Sequence, residues 1–103
     1  MNYRILRTDK ANDQLHSLIL YIADDSGSID TALAYLEKLE QGINLLSTSP
    51  NMGSYPSYST LRKQGYRVLI VQRHLIFYKV EEKAQEVIIY AIFDAKQEYK
   101  NLL

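Results

Sequence analysis

The spacing of the apolar residues changes halfway along the chain, and this change limits the fold more than any other feature of the sequence. Between residues 9 and 46 the apolar side chains recur every three or four positions, which is the spacing of one helix face. After residue 65 they form three short runs of branched and aromatic residues separated by polar turns, which is typical of strands. The pattern therefore predicts an α+β domain with a helical half followed by a β half.

Two amphipathic helices are predicted in the first half. The first begins at a cap on Thr8 or Asp9 and ends near Gly27, where glycine permits a left-handed turn. Ser28 caps the second helix, and the short linker makes the pair an antiparallel hairpin. The apolar stripes consist of Ala11, Leu15, Leu18, Ile19 and Ile22 in the first helix and Ala32, Leu36, Leu39, Ile43 and Leu46 in the second.

One strand is predicted before the helices, over residues 3–7, and three after them, over 66–71, 74–80 and 86–93. The last run is apolar on both faces, which indicates a central or doubly covered strand. Residues 47–59 contain two prolines, a glycine and five serines and are predicted to be a loop. The order β-α-α-β-β-β predicts that the hairpin packs on one face of a mostly antiparallel sheet. Both sheet faces carry apolar residues, so the pattern leaves open which one meets the helices.

Length and composition limit the class of protein. The 103 residues fit a single domain spanning residues 1–103, and the absence of cysteine excludes disulfides, thiolate zinc sites and cysteine nucleophiles. No apolar run approaches the roughly 20 residues that span a bilayer, and the N-terminus does not resemble a secretory signal. We therefore expect a cytoplasmic protein without membrane association. Neither a phosphate-binding glycine loop nor metal-ligand spacing is present, so we expect no cofactor and no metal.

The positive charge is concentrated in one segment. The formal net charge is zero, but residues 59–80 contain five basic residues and no acid, namely Arg62, Lys63, Arg67, Arg73 and Lys79. Such a segment is suited to an anionic partner, such as nucleic acid or an acidic peptide. The alternative is internal pairing with the acidic helical half. His74 follows Arg73 and either shuttles a proton or is structural.

Several short motifs occur in an order that resembles the RelE/ParE toxin superfamily of bacterial type II toxin–antitoxin modules, nearer the ParE branch. The resemblance covers nearly the whole chain. The motifs are residues 18–23 (LILYIA), Pro50 followed by Gly53, residues 61–62 (LR), residues 66–69 (YRVL) and residues 74–80 (HLIFYKV). The resemblance implies a RelE/ParE-like fold and a partner antitoxin whose disordered segment folds as it binds.

The resemblance implies two activities. One branch cleaves messenger RNA on the ribosome, and the other binds and inhibits DNA gyrase. If the chain is a nuclease, the catalytic residues implied by the resemblance are Arg62, Lys63, Arg67 and Tyr99. Leu75 stands where many nuclease-branch members have an arginine, and a leucine cannot stabilise a phosphorane. Phe93 stands where related chains often have a histidine, and Lys96 stands at one of two arginine positions.

We therefore favour the toxin of a plasmid-stabilisation-type module that binds and inhibits DNA gyrase. The alternatives are a ribosome-dependent endoribonuclease and a non-toxic family member that serves only as an interaction domain. Tyr99 is either a catalytic group or an aromatic residue that docks the tail. The predicted partner contacts are Arg62, Lys63, Arg67, Arg73, His74, Tyr78 and Lys96.

Overall fold

Three helices and four strands form the fold of residues 2–95, the part of the chain that the computed structural model describes. Two of the helices are long and lie on one face of a single sheet. In chain order the elements are β1 (Arg4–Arg7), α1 (Asp9–Ser26), α2 (Ile29–Asn44) with a 3-10 turn (Leu45–Ser47), α3 (Ser59–Lys63), β2 (Arg67–Val71), β3 (His74–Glu81) and β4 (Glu86–Asp94). The predicted α+β architecture is confirmed.

Caps in the sequence fix the ends of both long helices. The Thr8 side chain accepts a hydrogen bond from the Ala11 N–H at 3.1 Å, and Ser28 accepts one from the Thr31 N–H at 3.2 Å. These bonds satisfy N–H groups that have no partner inside the helix. Gly27 ends α1 with φ at 69°, a conformation that glycine adopts without strain. The predicted caps are confirmed. No helix of residues 2–95 has the length and apolar character needed to cross a membrane.

The strands lie in the order β1-β4-β3-β2. β1 runs parallel to β4, with Arg4 opposite Glu86 and Arg7 opposite Ile89, whereas β4, β3 and β2 are antiparallel neighbours. The sheet is therefore mostly antiparallel, as predicted. The doubly apolar run of β4 has β3 along its whole length on one side, and β1 along its first half on the other. An ion pair between Arg4 and Glu86 supports the junction of the first and last strands.

The hairpin covers the sheet face that carries the larger core, which we call the helix face. Leu69 on β2, Ile76 and Tyr78 on β3, and Ile89 on β4 point to it. They pack against α1 and α2 through a cluster completed by Ala11, Leu15, Leu39, Ile43, Leu46, Val87 and Ile92. Burial of this apolar surface supplies the main driving force for the fold.

A smaller cluster occupies the other face, which we call the opposite face. It consists of Leu61, Tyr66, Val68, Phe77, Ala91 and Phe93. Leu61 belongs to α3, a five-residue helix directly after the predicted loop. The apolar pattern did not predict this helix, because a segment this short has too few apolar residues to show a period.

A β-bulge changes the direction of one side chain in β4. Phe77 pairs with Ala91 but Tyr78 pairs with Ile89, so Tyr90 is an extra residue in the ladder. Tyr90 and Ala91 therefore both lie on the opposite face, where Tyr90 packs at the border of the smaller cluster.

Candidate macromolecule-binding site

The cations of the basic segment do not form one continuous patch. Arg62 and Lys63 are exposed in the last turn of α3, whereas Arg73 is exposed in the turn between β2 and β3. The length of β2 separates them, about 15 Å for a strand of this size. Within residues 2–95, neither Arg62 nor Arg73 forms an ion pair. The alternative prediction, internal pairing with the acidic helical half, therefore does not apply to these two arginines.

Arg67 is committed to a loop within the protein. Its guanidinium donates to the Gly53 carbonyl at 2.9 Å, to the Asn51 carbonyl at 3.3 Å and to the Tyr55 hydroxyl at 3.1 Å. The guanidinium also lies 4.5 Å from the centre of the Tyr55 ring. These contacts hold the loop before α3 against the sheet. Arg67 was predicted either to face a partner or to pair with an acid of the helices, and instead it binds backbone carbonyls.

Tyr78, a predicted partner contact, lies in the core. Its side chain has 0% exposed surface. Its hydroxyl donates to the Pro50 carbonyl at 2.8 Å and accepts from the Gly53 N–H at 3.0 Å. Burial raises the pKa of Tyr78, although the Gly53 hydrogen bond and the nearby Arg67 charge lower it. Tyr78 therefore has no surface to offer a partner in this structure, and its position favours a structural role.

His74 is also buried, with 8% exposed surface. The Tyr35 hydroxyl of α2 lies 2.6 Å from its Nδ1, and the two rings meet edge to face at 5.5 Å. Burial lowers the pKa of His74; the Asp94 charge raises it and the Arg73 charge lowers it further. These contacts favour the structural reading of His74.

A cation between two phenols forms a site that the sequence did not predict. The Lys79 ammonium lies 4.5 Å from the centre of the Tyr66 ring and 5.1 Å from that of Tyr90. The two rings meet edge to face at 5.5 Å. Burial, with a smaller contribution from Tyr90, raises the pKa of Tyr66. We call these three residues the tyrosine–lysine cluster. Within residues 2–95, Lys79 forms no ion pair.

The tyrosine–lysine cluster has the chemistry of a site for anionic or aromatic groups. Ammonium groups bind phosphate and carboxylate, and the ring of the half-buried Tyr90 can stack on a base, whereas the Tyr66 ring is only 8% exposed. Arg62 and Lys63 lie just before Tyr66, whose N–H donates to the Leu61 carbonyl at 3.2 Å. Positive charge therefore accompanies the cluster at this end of the opposite face. The register of the β2–β3 hairpin, extended by one residue, places Tyr66 across from Lys79, so the sequence carried a signal for this half of the cluster. Tyr90 joins the cluster through the β4 bulge, which has no sequence signal.

The remaining predicted positions carry packing residues or lie outside the described part. Phe93 is 2% exposed within the smaller cluster, and Leu75 packs at its border. Lys96 and Tyr99 lie outside the described residues, so their predicted roles stay predictions. Residues 2–95 contain no group of three or more histidine and acidic side chains that could hold a metal ion.

Known structures share this fold. A chain of the chromosomal ParDE toxin–antitoxin system from P. aeruginosa superposes with a TM-score of 0.75 at 18% identity, covering 91% of this chain and 97% of its own length. A chain of the RelBE2 toxin–antitoxin complex from Mycobacterium tuberculosis gives a TM-score of 0.64 at 17% identity, covering 91% and 99%. At such identities the likeness shows the fold alone.

The sequence comparison is more specific. No curated protein matched the chain. The family model described as the ParE toxin of the type II toxin–antitoxin system parDE matches residues 5–99, which is most of the chain. The match spans all three helices and, apart from Arg4, the whole sheet. The chain therefore belongs to the ParE toxin family of type II toxin–antitoxin systems.

Proposed function

We propose that this ParE-family toxin acts in the cytoplasm by binding DNA gyrase and inhibiting it, without chemistry of its own. One observation carries the proposal: three groups of the basic segment that could serve phosphate or proton-transfer chemistry, namely Arg67, Tyr78 and His74, are used in internal contacts. Arg67 binds loop carbonyls, Tyr78 binds Pro50 and Gly53, and His74 binds Tyr35. A toxin that acts by binding needs an exposed surface rather than a catalytic constellation.

We further propose that a cognate antitoxin neutralises the toxin along β2. Arg62 and Lys63 lie at one end of this strand and Arg73 at the other, with Ile70 between them at 64% exposure. An acidic, amphipathic segment that folds on binding would match cations flanking an apolar position. Lys96, predicted as a further contact, completes the proposed set.

Charge reversal tests the antitoxin surface. The double variant Arg62→Glu with Arg73→Glu should weaken binding to the antitoxin encoded beside the toxin gene by tenfold or more, because it replaces attraction by repulsion at both ends of the strand. Lys38→Glu, which reverses an exposed charge on α2, is the matched control. Isothermal titration measures both. Equal affinities for wild type, double variant and control would show that the antitoxin binds elsewhere.

Controlled expression in bacteria tests the cellular target. A DNA-damage response, together with loss of supercoiling by purified gyrase in the presence of the toxin, would support gyrase. A rapid stop of translation with cut messages would overturn the gyrase proposal in favour of RNA cleavage. Normal growth with intact antitoxin binding would indicate a non-toxic interaction domain.

Ribosome-dependent RNA cleavage is the second candidate, and the tyrosine–lysine cluster favours it. Lys79 supplies a cation and Tyr66 and Tyr90 supply rings on the opposite face, beside Arg62 and Lys63. Leu75 opposes this candidate, because it packs where a phosphate-binding arginine would be needed. If messages are cut, Lys79→Met should reduce the cleavage while leaving antitoxin binding unchanged. Cleavage by Lys79→Met at the wild-type rate would exclude the cluster as the site.

A further inference from the structure

Half of β4 lacks a neighbouring strand on one side. β1 pairs with Glu86–Ile89 only, because the chain turns into α1 at Thr8, whose N–H and hydroxyl donate to the Ile89 and Tyr90 carbonyls at 3.0 and 3.3 Å. Beyond Ile89, β4 pairs with β3 on its other side as far as Asp94. In the described residues, no strand accompanies this half of β4 on the β1 side. Open strand edges are templates for pairing with another chain.

A side chain occupies the position that a strand would take. The Gln14 side-chain oxygen accepts the Ile92 N–H at 2.8 Å. The Ala95 N–H, three residues further on, donates to the Arg73 carbonyl at 2.9 Å, on the β3 side. The backbone N–H groups of β4 therefore point alternately to its two sides, and the Ile92 N–H points away from β3. An amide oxygen at this place does what the carbonyl of an added strand would do.

The open edge borders a groove of about 730 Å³. α1 forms one wall from Asp13 to Asp25, a length of about 18 Å. Leu18 and Ile22 supply apolar surface, and Tyr35 and His74 line the side toward the sheet. This length accommodates about five extended residues.

The charges of the groove indicate the chemistry of its occupant. Asp13, Asp25 and Asp94 line it, against a single cation, Arg73. Tyr21, 66% exposed, adds an aromatic surface to the α1 wall. Carboxylates around an apolar groove complement lysine and arginine side chains whose stems lie on apolar surface.

We propose that this groove binds an extended, lysine- or arginine-bearing segment of a partner protein, which adds a strand beside Ile92 and displaces Gln14. The backbone of the segment pairs with β4, alternate side chains enter the groove, and the basic side chains meet Asp13 and Asp25. The occupant has the opposite charge to the antitoxin segment proposed for β2. Arg73 borders both surfaces, but the groove is tested at Asp13 and Asp25, which lie outside the β2 surface, so this inference is tested separately from the proposed function.

Synthetic hexapeptides test the proposal on the full chain. The probe alternates lysine with valine; one control replaces every lysine by glutamate, and another replaces every valine by proline, which removes backbone donors. With ¹⁵N-labelled protein, the lysine–valine peptide should shift the Ile92 amide resonance and those of the α1 wall. The two controls should bind at least tenfold more weakly.

Variants separate charge from strand pairing. Asp13→Lys combined with Asp25→Lys should weaken the lysine–valine peptide about tenfold, whereas Glu37→Lys, an exposed acid of α2 outside the groove, should leave its affinity unchanged. Gln14→Ala should strengthen binding severalfold, because the peptide no longer displaces a competing acceptor. Circular dichroism checks that each variant is folded.

Three results would overturn the proposal. The peptide could shift amides of β2, the outer strand of the sheet, rather than Ile92. The glutamate or proline peptide could bind as tightly as the lysine–valine peptide. Sedimentation could show a dimer that the Asp13→Lys and Asp25→Lys changes dissociate, in which case a second copy of the chain is the occupant.

Discussion

The two faces of the sheet treat their polar side chains differently. On the helix face, Tyr78 and His74 are buried and hydrogen-bonded to other parts of the chain. On the opposite face, Lys79 and Tyr90 are half-buried, and within residues 2–95 the Lys79 ammonium contacts two tyrosine rings but forms no ion pair. Polar groups that are fully bonded internally contribute to a unique fold. Polar groups that keep bonding capacity, such as the Lys79 ammonium, are free to bind another molecule.

The largest expected change in the free energy of unfolding comes from shortening one leucine in each apolar cluster to alanine. Leu39→Ala, at 0% exposure beneath the hairpin, should reduce the free energy of unfolding by about 4 kcal/mol. Leu61→Ala, on the short α3, should reduce it by about 2 kcal/mol, because a five-residue helix at the surface can move into the space. Urea unfolding measures both. Equal losses would mean that the two faces are packed equally rigidly.

A second comparison removes one hydroxyl from each face. Tyr78→Phe should cost about 2 kcal/mol of unfolding free energy, because it leaves the Pro50 carbonyl and the Gly53 N–H without their partner. Tyr66→Phe should change it by less than about 0.5 kcal/mol, since the Tyr66 hydroxyl has no hydrogen-bond partner within residues 2–95. Thermal unfolding of the two variants decides whether the helix face alone depends on its hydroxyl.

His74 makes the helix face sensitive to pH. Burial lowers its pKa below the ordinary value of 6.5, so the unfolded chain takes up a proton that the folded chain resists. The stabilisation is complete above pH 6.5 and decreases as the pH falls from there through the lowered pKa of the folded state. Between pH 7.5 and 5.5 the wild type should therefore lose more unfolding free energy than His74→Gln. Urea unfolding at a series of pH values measures this loss. The same change of unfolding free energy with pH in the wild type and in His74→Gln would contradict the prediction.

The smallest effect is expected on the opposite face. Lys79→Met removes a charge whose contacts in the described part of the chain are the Tyr66 and Tyr90 rings, so the unfolding free energy should change by less than about 1 kcal/mol. Chemical unfolding measures it. A loss of several kcal/mol would show that the tyrosine–lysine cluster is a structural element, and it would remove the basis for assigning it to a ligand.

Local signals predicted most of the fold. The Thr8 and Ser28 caps, the Gly27 terminus and the strand runs depend on neighbouring residues, and their positions agree with the structure to within one or two residues. The choice of sheet face was beyond the sequence pattern, because both faces are apolar. The helix α3 was also beyond it, because five residues carry too little periodicity.

The candidate site was predicted less well, because it depends on distant contacts. Arg67 meets loop carbonyls, and only the folded position of the loop before α3 reveals this. Tyr90 lies on the same sheet face as Lys79 because of a β-bulge in β4, and no residue of this strand predicts the bulge. Charge counting identified the basic segment correctly but not its division by the length of β2. Arg62, Lys63 and Arg73 differ from Arg67 and Tyr78 in their exposure to solvent, because the latter two make hydrogen bonds within the protein. Residue type alone does not reveal this difference.

The parallel pairing of β1 with β4 has a consequence for synthesis of the chain. Arg4 pairs with Glu86, which is synthesised near the end of the chain. β1 is the first strand to leave the ribosome, but it cannot form its hydrogen bonds with β4 until almost every other element has been synthesised. Pairings this distant in sequence form slowly. A nascent toxin should therefore remain inactive through most of its translation, which gives the cell an interval in which no functional toxin exists.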